Sequence, residues 1–436
     1  MTEIVKEIDN YLKRLFPICR SITGPGNRQS LKILQEIVPL EIREYPSGTP
    51  VYDWLIPEEW IIYDAWIKDT NDRKIVDFQI NNLHLVSYSE PVNREITFAE
   101  LKNHLYYLDN LPEAIPYRTS YYKKDWGFCV TKAQYKYLEC ADGPYKVFID
   151  SEFKSNGSLT VGELLISGET DEEILISTYI CHPSMSNDNL SGMVMTTFLA
   201  RELLKYGPSK YGYRIVWVPE TIGAITYCSY NETSMIKIKH GFVVTCVGGP
   251  GKFGYKQSFD ASDVINILIE ETFRVAGIDD FLIYPFDIHG SDERQYSSQG
   301  FRINVASITK DRYYEYPYYH TSLDNLSFIS ADNVTQSLKL YLNALKRLNE
   351  WDAGQIYCRC EPHCEAMLSK YNLYPSMGGA ILPESQIKEL DLRLWLLFLC
   401  DGKMPLYKIA QRLGVSLEEL KQEAYLLEQK GLLLKM

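Results

Sequence analysis

The stretch that decides the fold is LISTYICHPSMSNDNLSGMVMTTFLARELL, Leu175 to Leu204. The run from Ile174 to Ile180 is short, β-branched and almost uniformly apolar, which is typical of a strand covered on both faces. From Gly192 onward, apolar residues recur at helical spacing. The polar segment with His182 and Asp188 therefore lies where a strand ends and a helix begins. Ligands and catalytic groups collect at that edge of parallel α/β sheets, although a turn with Asp188 as a helix cap explains the same pattern.

Length and composition limit the class of protein. A chain of 436 residues is expected to form two or three domains, and 45% hydrophobic with 23% charged residues is typical of a globular protein. The formal net charge of −12 argues against general binding to nucleic acids or acidic membranes. The first residues form an acidic amphipathic pattern unlike a secretory signal, and no apolar run reaches the length of a membrane span. We therefore expect a cytoplasmic enzyme with neither a membrane nor a nucleic acid as its favoured partner.

The order of strand and helix patterns predicts three domains. Strands alternate with helices from Leu159 onward, which predicts an α/β domain with helices on both faces of a mixed sheet. Residues 1–48 and 152–352 are assigned to this discontinuous domain. Residues 49–151 contain short alternating strands and are predicted to be an inserted β-rich domain. Residues 380–436 are predicted to be a winged-helix domain, with a turn at Gly414 and a helix cap at Ser416.

The winged helix raises the alternative of a DNA-binding protein. Its second helix opens with Glu418 and Glu419, where DNA-reading helices usually offer basic or amide side chains. Packing or partner contact is therefore favoured over DNA binding. The inserted domain and this tail are also expected to offer surfaces for a homo-oligomer.

The ten cysteines do not form a spaced framework, because most stand alone in apolar segments as reduced thiols would. The exception is CRCEPHC, with Cys358, Cys360, His363 and Cys364. A structural zinc knuckle is conceivable there, but the four side chains lack the second distant pair of usual finger spacings. We therefore do not assign a metal site to them.

Four groups of polar residues follow successive strands of the predicted α/β domain. Imidazoles and carboxylates are the ligands that zinc uses where a position stays open for water, and a further free glutamate is suited to general-base work. A bound cation also makes a buried carboxylate favourable. In chain order the groups are His182 with Asp188, then Glu220, then His289 with Asp292 and Glu293, and finally His320 with Asp324.

These motifs resemble zinc-dependent aminopeptidases of the di-zinc exopeptidase superfamily. The similarity lies in His182, NDNLSG with Asp188, ETIG with Glu220, GSDERQYSSQGFRINVASI, and YYHTSLDN with His320. The chain is more similar still to a bacterial aminopeptidase-like group with an inserted β-domain and a C-terminal winged helix, associated with surface-polysaccharide biosynthesis. The segments RSITGPGNR, PYRTSYY, WGFC and CHPSMSNDNLSG carry that resemblance. It implies an aminopeptidase-like fold with zinc held by His182, Asp188 and His320.

The chain departs from the family pattern at two carboxylates. The family has two adjacent glutamates where this sequence has Glu220 and Thr221, and a further Asp where it has Thr245 and Cys246. Each of two metal positions thereby loses one ligand. The remaining three ligands favour a single zinc ion with water in the fourth position. A second ion, bound through a Cys246 thiolate, is the less favoured alternative.

The resemblance also suggests roles around the metal. Glu220 falls on the general-base position, and Asp292 is expected to orient a ligand or a substrate amine. His289 either donates to the oxyanion of the intermediate or caps a turn. Tyr319 either lines the pocket or belongs to a structural aromatic cluster, and Arg118 either contacts substrate or packs between domains.

Two further residues have expected supporting roles. Asp324 is expected to hydrogen-bond His320 or to cap the final helix. Arg20, next to the Gly-Pro-Gly turn, is interpreted as part of a salt-bridged elbow with Arg28 rather than as an anion clamp.

The sequence therefore predicts a zinc-dependent hydrolase of amide bonds, either an aminopeptidase or a deacylase. Its substrate would be a small-molecule or peptide-like amide, such as a sugar-linked one used in surface-polysaccharide biosynthesis. The alternative is a catalytically impaired, zinc-bearing binding or regulatory protein whose winged helix contacts a partner. Retention of Glu220 favours the enzyme, whereas the missing carboxylates favour the alternative.

Overall fold

The computed structural model describes residues 3–120, 122–141, 143–207, 209–351, 355–374 and 384–436, with side chains from residue 388 onward in the last range. The chain divides into two compact units. The first consists of Met1–Ala261 and Thr272–Lys346, and the second of Ser262–Glu271 and Arg347–Met436.

In chain order the strands are β1 (Glu41–Pro46), β2 (Pro50–Val51), β3 (Trp54–Leu55), β4 (Glu59–Lys68), β5 (Lys74–Asp77), β6 (Val92–Ile96), β7 (Leu105–Tyr106), β8 (Phe128–Cys129), β9 (Tyr145–Lys154), β10 (Ser158–Ile166), β11 (Glu173–Tyr179), β12 (Gly212–Val218), β13 (His240–Val243), β14 (Phe253–Lys256), β15 (Leu282–Tyr284), β16 (Asn304–Lys310), β17 (Ile356–Arg359), β18 (Asp401–Pro405) and β19 (Leu433–Lys435).

Helices flank these strands. In chain order they are α1 (Glu3–Leu15), α2 (Pro25–Leu34), α3 (Phe98–Leu101), α4 (Lys132–Cys140), α5 (Gly192–Lys205), α6 (Ile222–Tyr230), α7 (Glu232–Met235), α8 (Val264–Val275), α9 (Glu293–Tyr296), α10 (Ala331–Glu350), α11 (Glu384–Leu399), α12 (Leu406–Leu413) and α13 (Leu417–Gln429). None of the helices in the described ranges combines the length and the hydropathy that a bilayer span requires.

An eight-stranded mixed sheet runs through the first unit, in the order β1-β10-β12-β11-β13-β16-β14-β15. Its middle strands β12, β11, β13 and β16 are parallel neighbours, whereas β1, β10 and β14 add antiparallel pairings. Strand β12 is buried at every position and β11 at all but its first, as expected for apolar runs covered on both faces. The mixed α/β fold predicted from the sequence is thus confirmed.

The segment between β1 and β10 has a sheet of its own, in the order β5-β4-β9-β6. Its two long strands, β4 and β9, pair antiparallel along almost their whole length. Alternate residues of β9 are buried, which is the pattern of a sheet with one face against a core. The range 49–151 therefore contains the β-rich structure that the sequence predicts, although β9 continues to Lys154, and the domain boundaries themselves stay predictions.

The second unit contains α11, α12, α13 and a three-stranded sheet in the order β18-β17-β19. Gly414 adopts a left-handed conformation (φ 66°) after α12, and the Ser416 hydroxyl accepts a hydrogen bond from the Glu419 amide at the start of α13. The predicted turn and cap are both present. Strand β17 precedes the predicted domain start at residue 380, which lies outside the described residues, so that boundary stays a prediction.

Gly192 fixes how α5 enters the core next to the loop that carries Asp188. A Cβ atom at this position would lie 2.2 Å from Asn189 Oδ1 and 2.6 Å from the Val244 carbonyl oxygen. These distances are too short for any side chain, so the glycine permits helix and strand to approach closely.

We expect Gly192→Ala to lower the free energy of unfolding of the first unit by about 2–3 kcal/mol, since overpacked backbone must shift. Gly300→Ala is the matched control, because a Cβ atom there meets nothing within 4 Å. Its effect should stay within about 0.5 kcal/mol. Urea unfolding followed by tryptophan fluorescence measures both, and equal stability of the two variants would contradict this account of Gly192.

Candidate metal centre and active site

The candidate site lies at the carboxyl ends of the parallel strands. His182 and Asp188 follow β11, Glu220 follows β12, and His320 lies in the loop after β16. Because β12, β11, β13 and β16 are neighbours in the sheet, the loops that follow them emerge at one edge. This is the edge predicted from the sequence.

His182, Asp188 and His320 converge there. Asp188 Oδ2 lies 3.0 Å from His320 Nε2 and 3.7 Å from His182 Nε2. One ligand atom from each of the three residues lies within 4.8 Å of the others. Asp188 Oδ2 and His320 Nε2 are buried, and neither makes a hydrogen bond of acceptable geometry. A shared cation would satisfy both atoms, and two imidazoles with one carboxylate form a donor set that zinc uses.

The electrostatics of the cluster suit a metal ligand set. Burial lowers the pKa of His182 to about 4, so this imidazole is neutral near pH 7. Burial raises the pKa of Asp188, but His182 and His320 outweigh it and lower the value to about 2. A neutral imidazole and an ionised carboxylate are the protonation states in which these groups bind metals.

The Arg20 side chain supports the loop that carries His182. Its buried guanidinium donates to three backbone carbonyls: His182 at 2.9 Å, Leu15 at 2.7 Å and Pro183 at 3.3 Å. Arg28 instead pairs with Glu44 and Glu59. The interpretation of Arg20 as part of a salt-bridged elbow is therefore wrong for Arg20 and right for Arg28. Neither residue is arranged as an anion clamp, because carbonyls and carboxylates already occupy their donors.

Asp324 holds the loop of Asp188. It accepts hydrogen bonds from the Asn187 amide at 2.7 Å, from the Asp188 amide at 3.0 Å and from the Tyr316 hydroxyl at 2.9 Å. The expectation that Asp324 bonds His320 or caps the final helix is wrong. The path of residues 186–188 brings two amides to this carboxylate, and these bonds hold the backbone that carries Asp188.

Glu220 lies beside the cluster and next to a second carboxylate. Glu220 Oε2 is 3.9 Å from His182 Nε2, and its side chain is 21% exposed, so it is open to a ligand. Burial, followed by the charges of Asp292 and Asp188, raises the pKa of Glu220 well above its usual value. Asp292 accepts from the Thr221 amide at 2.7 Å, while its Oδ2 is buried without a partner. Burial raises the pKa of Asp292 to about 7.

Cys181, His182 and Glu220 form a second group with metal-ligand atoms close together. Cys181 Sγ lies 3.6 Å from His182 Nδ1 and accepts a hydrogen bond from the Glu220 amide. Burial raises the pKa of this thiol well above its usual value. Its contacts are those of a residue that supports its two neighbours.

Aromatic rings enclose the imidazoles. Tyr319 stacks on His320, with ring centroids 3.9 Å apart. The ring of Tyr117, from the inserted segment, lies edge to face with the His320 ring, with centroids 5.1 Å apart, and its centroid lies 5.4 Å from that of His182. The Tyr117 backbone amide donates a hydrogen bond to the His320 carbonyl. Ile115 and Ser322 exchange two further hydrogen bonds of 2.9 Å. Tyr117 was not among the site residues predicted from the sequence, although it lies in the PYRTSYY motif.

His289 and Arg118 have exposed side chains. The backbone carbonyl of His289 accepts from Lys256 Nζ at 2.7 Å, and the Arg118 guanidinium lies over the Tyr106 ring. The structure therefore does not gather these two residues with the cluster, and their roles stay predictions. Within the described ranges, the cysteines of CRCEPHC belong to neither group of converging ligand atoms.

Comparisons with known proteins match this architecture. A family described as a domain of unknown function (DUF4910) matches residues 9–351, and a winged helix-turn-helix family matches residues 355–435. A curated relative from Clostridium acetobutylicum is named as a polysaccharide biosynthesis protein with an aminopeptidase-like domain. It is 42% identical over 418 residues, which cover 96% of this chain and 94% of the relative. The chain belongs to this aminopeptidase-like family.

Solved structures with a similar fold include proteins named as peptidases. A Clostridium acetobutylicum crystal structure superposes with a TM-score of 0.81 at 40% identity, covering 100% of this chain and 97% of that one. A zinc aminopeptidase from Bacillus subtilis has a TM-score of 0.59 at 14% identity, covering 80% of this chain and 95% of that one. A peptidase M28 precursor from Shewanella amazonensis has a TM-score of 0.53 at 12% identity, covering 78% and 94%. The last two similarities show the fold alone.

We expect Asp324→Asn to weaken zinc binding about 10- to 100-fold without removing a ligand, because an amide nitrogen would face one of the two backbone N–H groups. Asp332→Asn, at an exposed position, is the control and should leave the affinity unchanged. Competition with a chromophoric chelator measures both. Equal zinc affinities would show that Asp324 does not orient Asp188.

Proposed function

We propose that this protein is a zinc-dependent hydrolase of amide bonds with a single zinc ion held by His182, Asp188 and His320. The observation that carries the proposal is the pair of buried, unpartnered atoms, Asp188 Oδ2 and His320 Nε2, facing His182 Nε2. Without a cation this arrangement leaves a buried carboxylate oxygen and an imidazole nitrogen unsatisfied, which is costly. Zinc bound there supplies a Lewis acid for a carbonyl oxygen and lowers the pKa of an adjacent water.

The donor count supports one ion rather than two. Thr221 and Thr245 stand where the resembled di-zinc enzymes carry carboxylates. The Thr221 amide bonds Asp292, and the Thr245 hydroxyl bonds Tyr179. Burial raises the pKa of the Cys246 thiol well above its usual value, which disfavours a thiolate ligand.

We assign the role of general base to Glu220. Its carboxylate lies next to His182 and is partly open, so it can accept a proton from the attacking water and return it to the leaving amine. A raised pKa brings the carboxyl closer to the range in which such transfers are efficient. Asp292 Oδ2, buried and unpartnered beside Glu220, is suited to accept a hydrogen bond from a substrate amine.

The substrate we propose is a small or peptide-like amide, including amides of amino sugars. The curated relative's name connects this family with polysaccharide biosynthesis, which supports the sugar-linked members of that class. The rings of Tyr117 and Tyr319 beside the imidazoles offer flat apolar surface to such a ligand. The exposed Glu418 and Glu419 at the start of α13 support a protein contact rather than nucleic acid for the winged helix.

We expect Glu220→Gln to lower kcat for amide hydrolysis about 10²- to 10⁴-fold while zinc content stays unchanged, since only the proton acceptor is lost. Glu172→Gln, at an exposed position, is the control. Aminoacyl amides and N-acyl amino sugars are screened with the zinc-loaded protein to find the substrate. Full activity of Glu220→Gln would remove the proposed mechanism. Zinc binding with no hydrolysis of either class would favour the alternative of a zinc-bearing binding protein.

Removal of zinc is expected to lower the Tm of the protein, because an ion that binds only the folded state stabilises it by about 2.7 kcal/mol at one hundred times its Kd. His320→Ala should abolish the difference in Tm between zinc-loaded and chelator-treated protein. His363→Ala should retain it, because this imidazole is 87% exposed and pairs with Glu361 rather than with a proposed ligand. Differential scanning calorimetry makes the measurement, and a Tm indifferent to zinc in the unaltered protein would contradict the metal centre.

A further inference from the structure

Tyr179, the last residue of β11, carries a hydroxyl group that faces Asp188 from within the core. The side chain is 3% exposed. Its hydroxyl lies 2.5 Å from Asp188 Oδ1 and 2.6 Å from Thr245 Oγ1. Neither Tyr179 nor Thr245 was among the residues predicted from the sequence as ligands or catalytic groups. The proposed hydrolysis does not use the Tyr179 phenol.

The two oxygens of Asp188 are thereby divided between different partners. Oδ2 faces His320 and His182, where the metal ion is proposed. Oδ1 receives the Tyr179 hydroxyl. A carboxylate that bridges two cations through both of its oxygens gives one oxygen to each, and the Tyr179 hydroxyl on Oδ1 takes the oxygen that a second ion would use in this mode.

Asp188 determines the direction in which Tyr179 donates. An ionised carboxylate only accepts hydrogen bonds, and a phenol has one proton. The Tyr179 proton therefore goes to Asp188 Oδ1, which leaves the Tyr179 oxygen as an acceptor towards the Thr245 hydroxyl. The Thr245 hydroxyl also lies 3.3 Å from Cys246 Sγ, so a neutral hydrogen-bonded chain fills the space on this side of Asp188.

We propose that Tyr179 is a positioning residue that leaves only the Oδ2 atom of Asp188 for metal binding and thereby limits the centre to one metal ion. This inference rests on the metal centre of the proposed function. In this arrangement, the Tyr179 and Thr245 hydroxyl groups occupy the place of a second cation and its ligand. Hydrogen bonds that orient metal ligands typically change metal affinity by one to two orders of magnitude when removed.

The test compares zinc binding by Tyr179→Phe, Thr245→Val and the unaltered protein. We expect the unaltered protein to bind one equivalent under excess zinc, measured by equilibrium dialysis and elemental analysis. Tyr179→Phe should weaken zinc binding about 10- to 100-fold, and Thr245→Val about fivefold, because it removes only the group that orients the phenol. Tyr296→Phe is the matched control, since its buried hydroxyl bonds Ser177 and no proposed ligand.

A spectroscopic measurement separates positioning from a general loss of stability. Cobalt replaces zinc, and its visible absorption reports the ligands directly. We expect the cobalt spectrum to shift in Tyr179→Phe and to stay unchanged in Tyr296→Phe. Should Tyr179→Phe fail to fold, Thr245→Val decides the question by the same two measurements.

Two equivalents of zinc in the unaltered protein would overturn the inference, as would an unchanged zinc affinity and cobalt spectrum in a folded Tyr179→Phe variant. The outcome is distinguishable from that of the proposed function. If the protein binds one zinc ion with the expected effects of these variants but hydrolyses no amide, the hydrolase proposal fails and the inference stands. If hydrolysis depends on Glu220 while Tyr179→Phe binds zinc normally, the inference alone fails.

Discussion

The carboxylate of Asp188 is buried, and a buried charge must be satisfied on every side. The protein meets this constraint with groups from distant parts of the chain: the Tyr179 hydroxyl, the His320 and His182 rings, and Asp324, which fixes the adjacent amides. The open side of Asp188, towards the two imidazoles, is where we propose that a divalent ion would compensate the charge. Between the end of β11 and the start of α5, the backbone that leads to Asp188 is held by hydrogen bonds with side chains that are remote in sequence.

The sequence was sufficient to predict the central sheet and the approach of the three candidate metal ligands. Apolar runs such as Ile174 to Ile180 specify strands buried on both faces, and the carboxyl ends of parallel strands share an edge whatever the details of packing. The approach of His182, Asp188 and His320 follows from that geometry. Turn residues with a clear mechanism, such as Gly414 and Ser416, were equally predictable.

The individual contacts of the site residues depend on the directions of side chains in loops. Loops have no repeating sequence pattern from which those directions could be predicted. Tyr179 has the pattern of an ordinary strand residue, and nothing in its spacing shows that its hydroxyl meets Asp188. The partners of Asp324 depend on the course of residues 186–188, and those of Arg20 on carbonyls far away in sequence. Tyr117 belongs to the inserted segment, so its contact with His320 needs a tertiary arrangement that one sequence does not reveal.

The contact between the inserted segment and the His320 loop has a consequence for how the protein matures. Ile115 and Ser322 are 207 residues apart in sequence, yet their mutual hydrogen bonds hold the two loops together beside the imidazoles. Such remote pairing is established late, because chain closure over long distances is entropically unfavourable until intervening structure has formed. In the proposed metal centre, a nascent or misassembled chain would lack a complete set of ligands, so metal binding would report finished tertiary assembly.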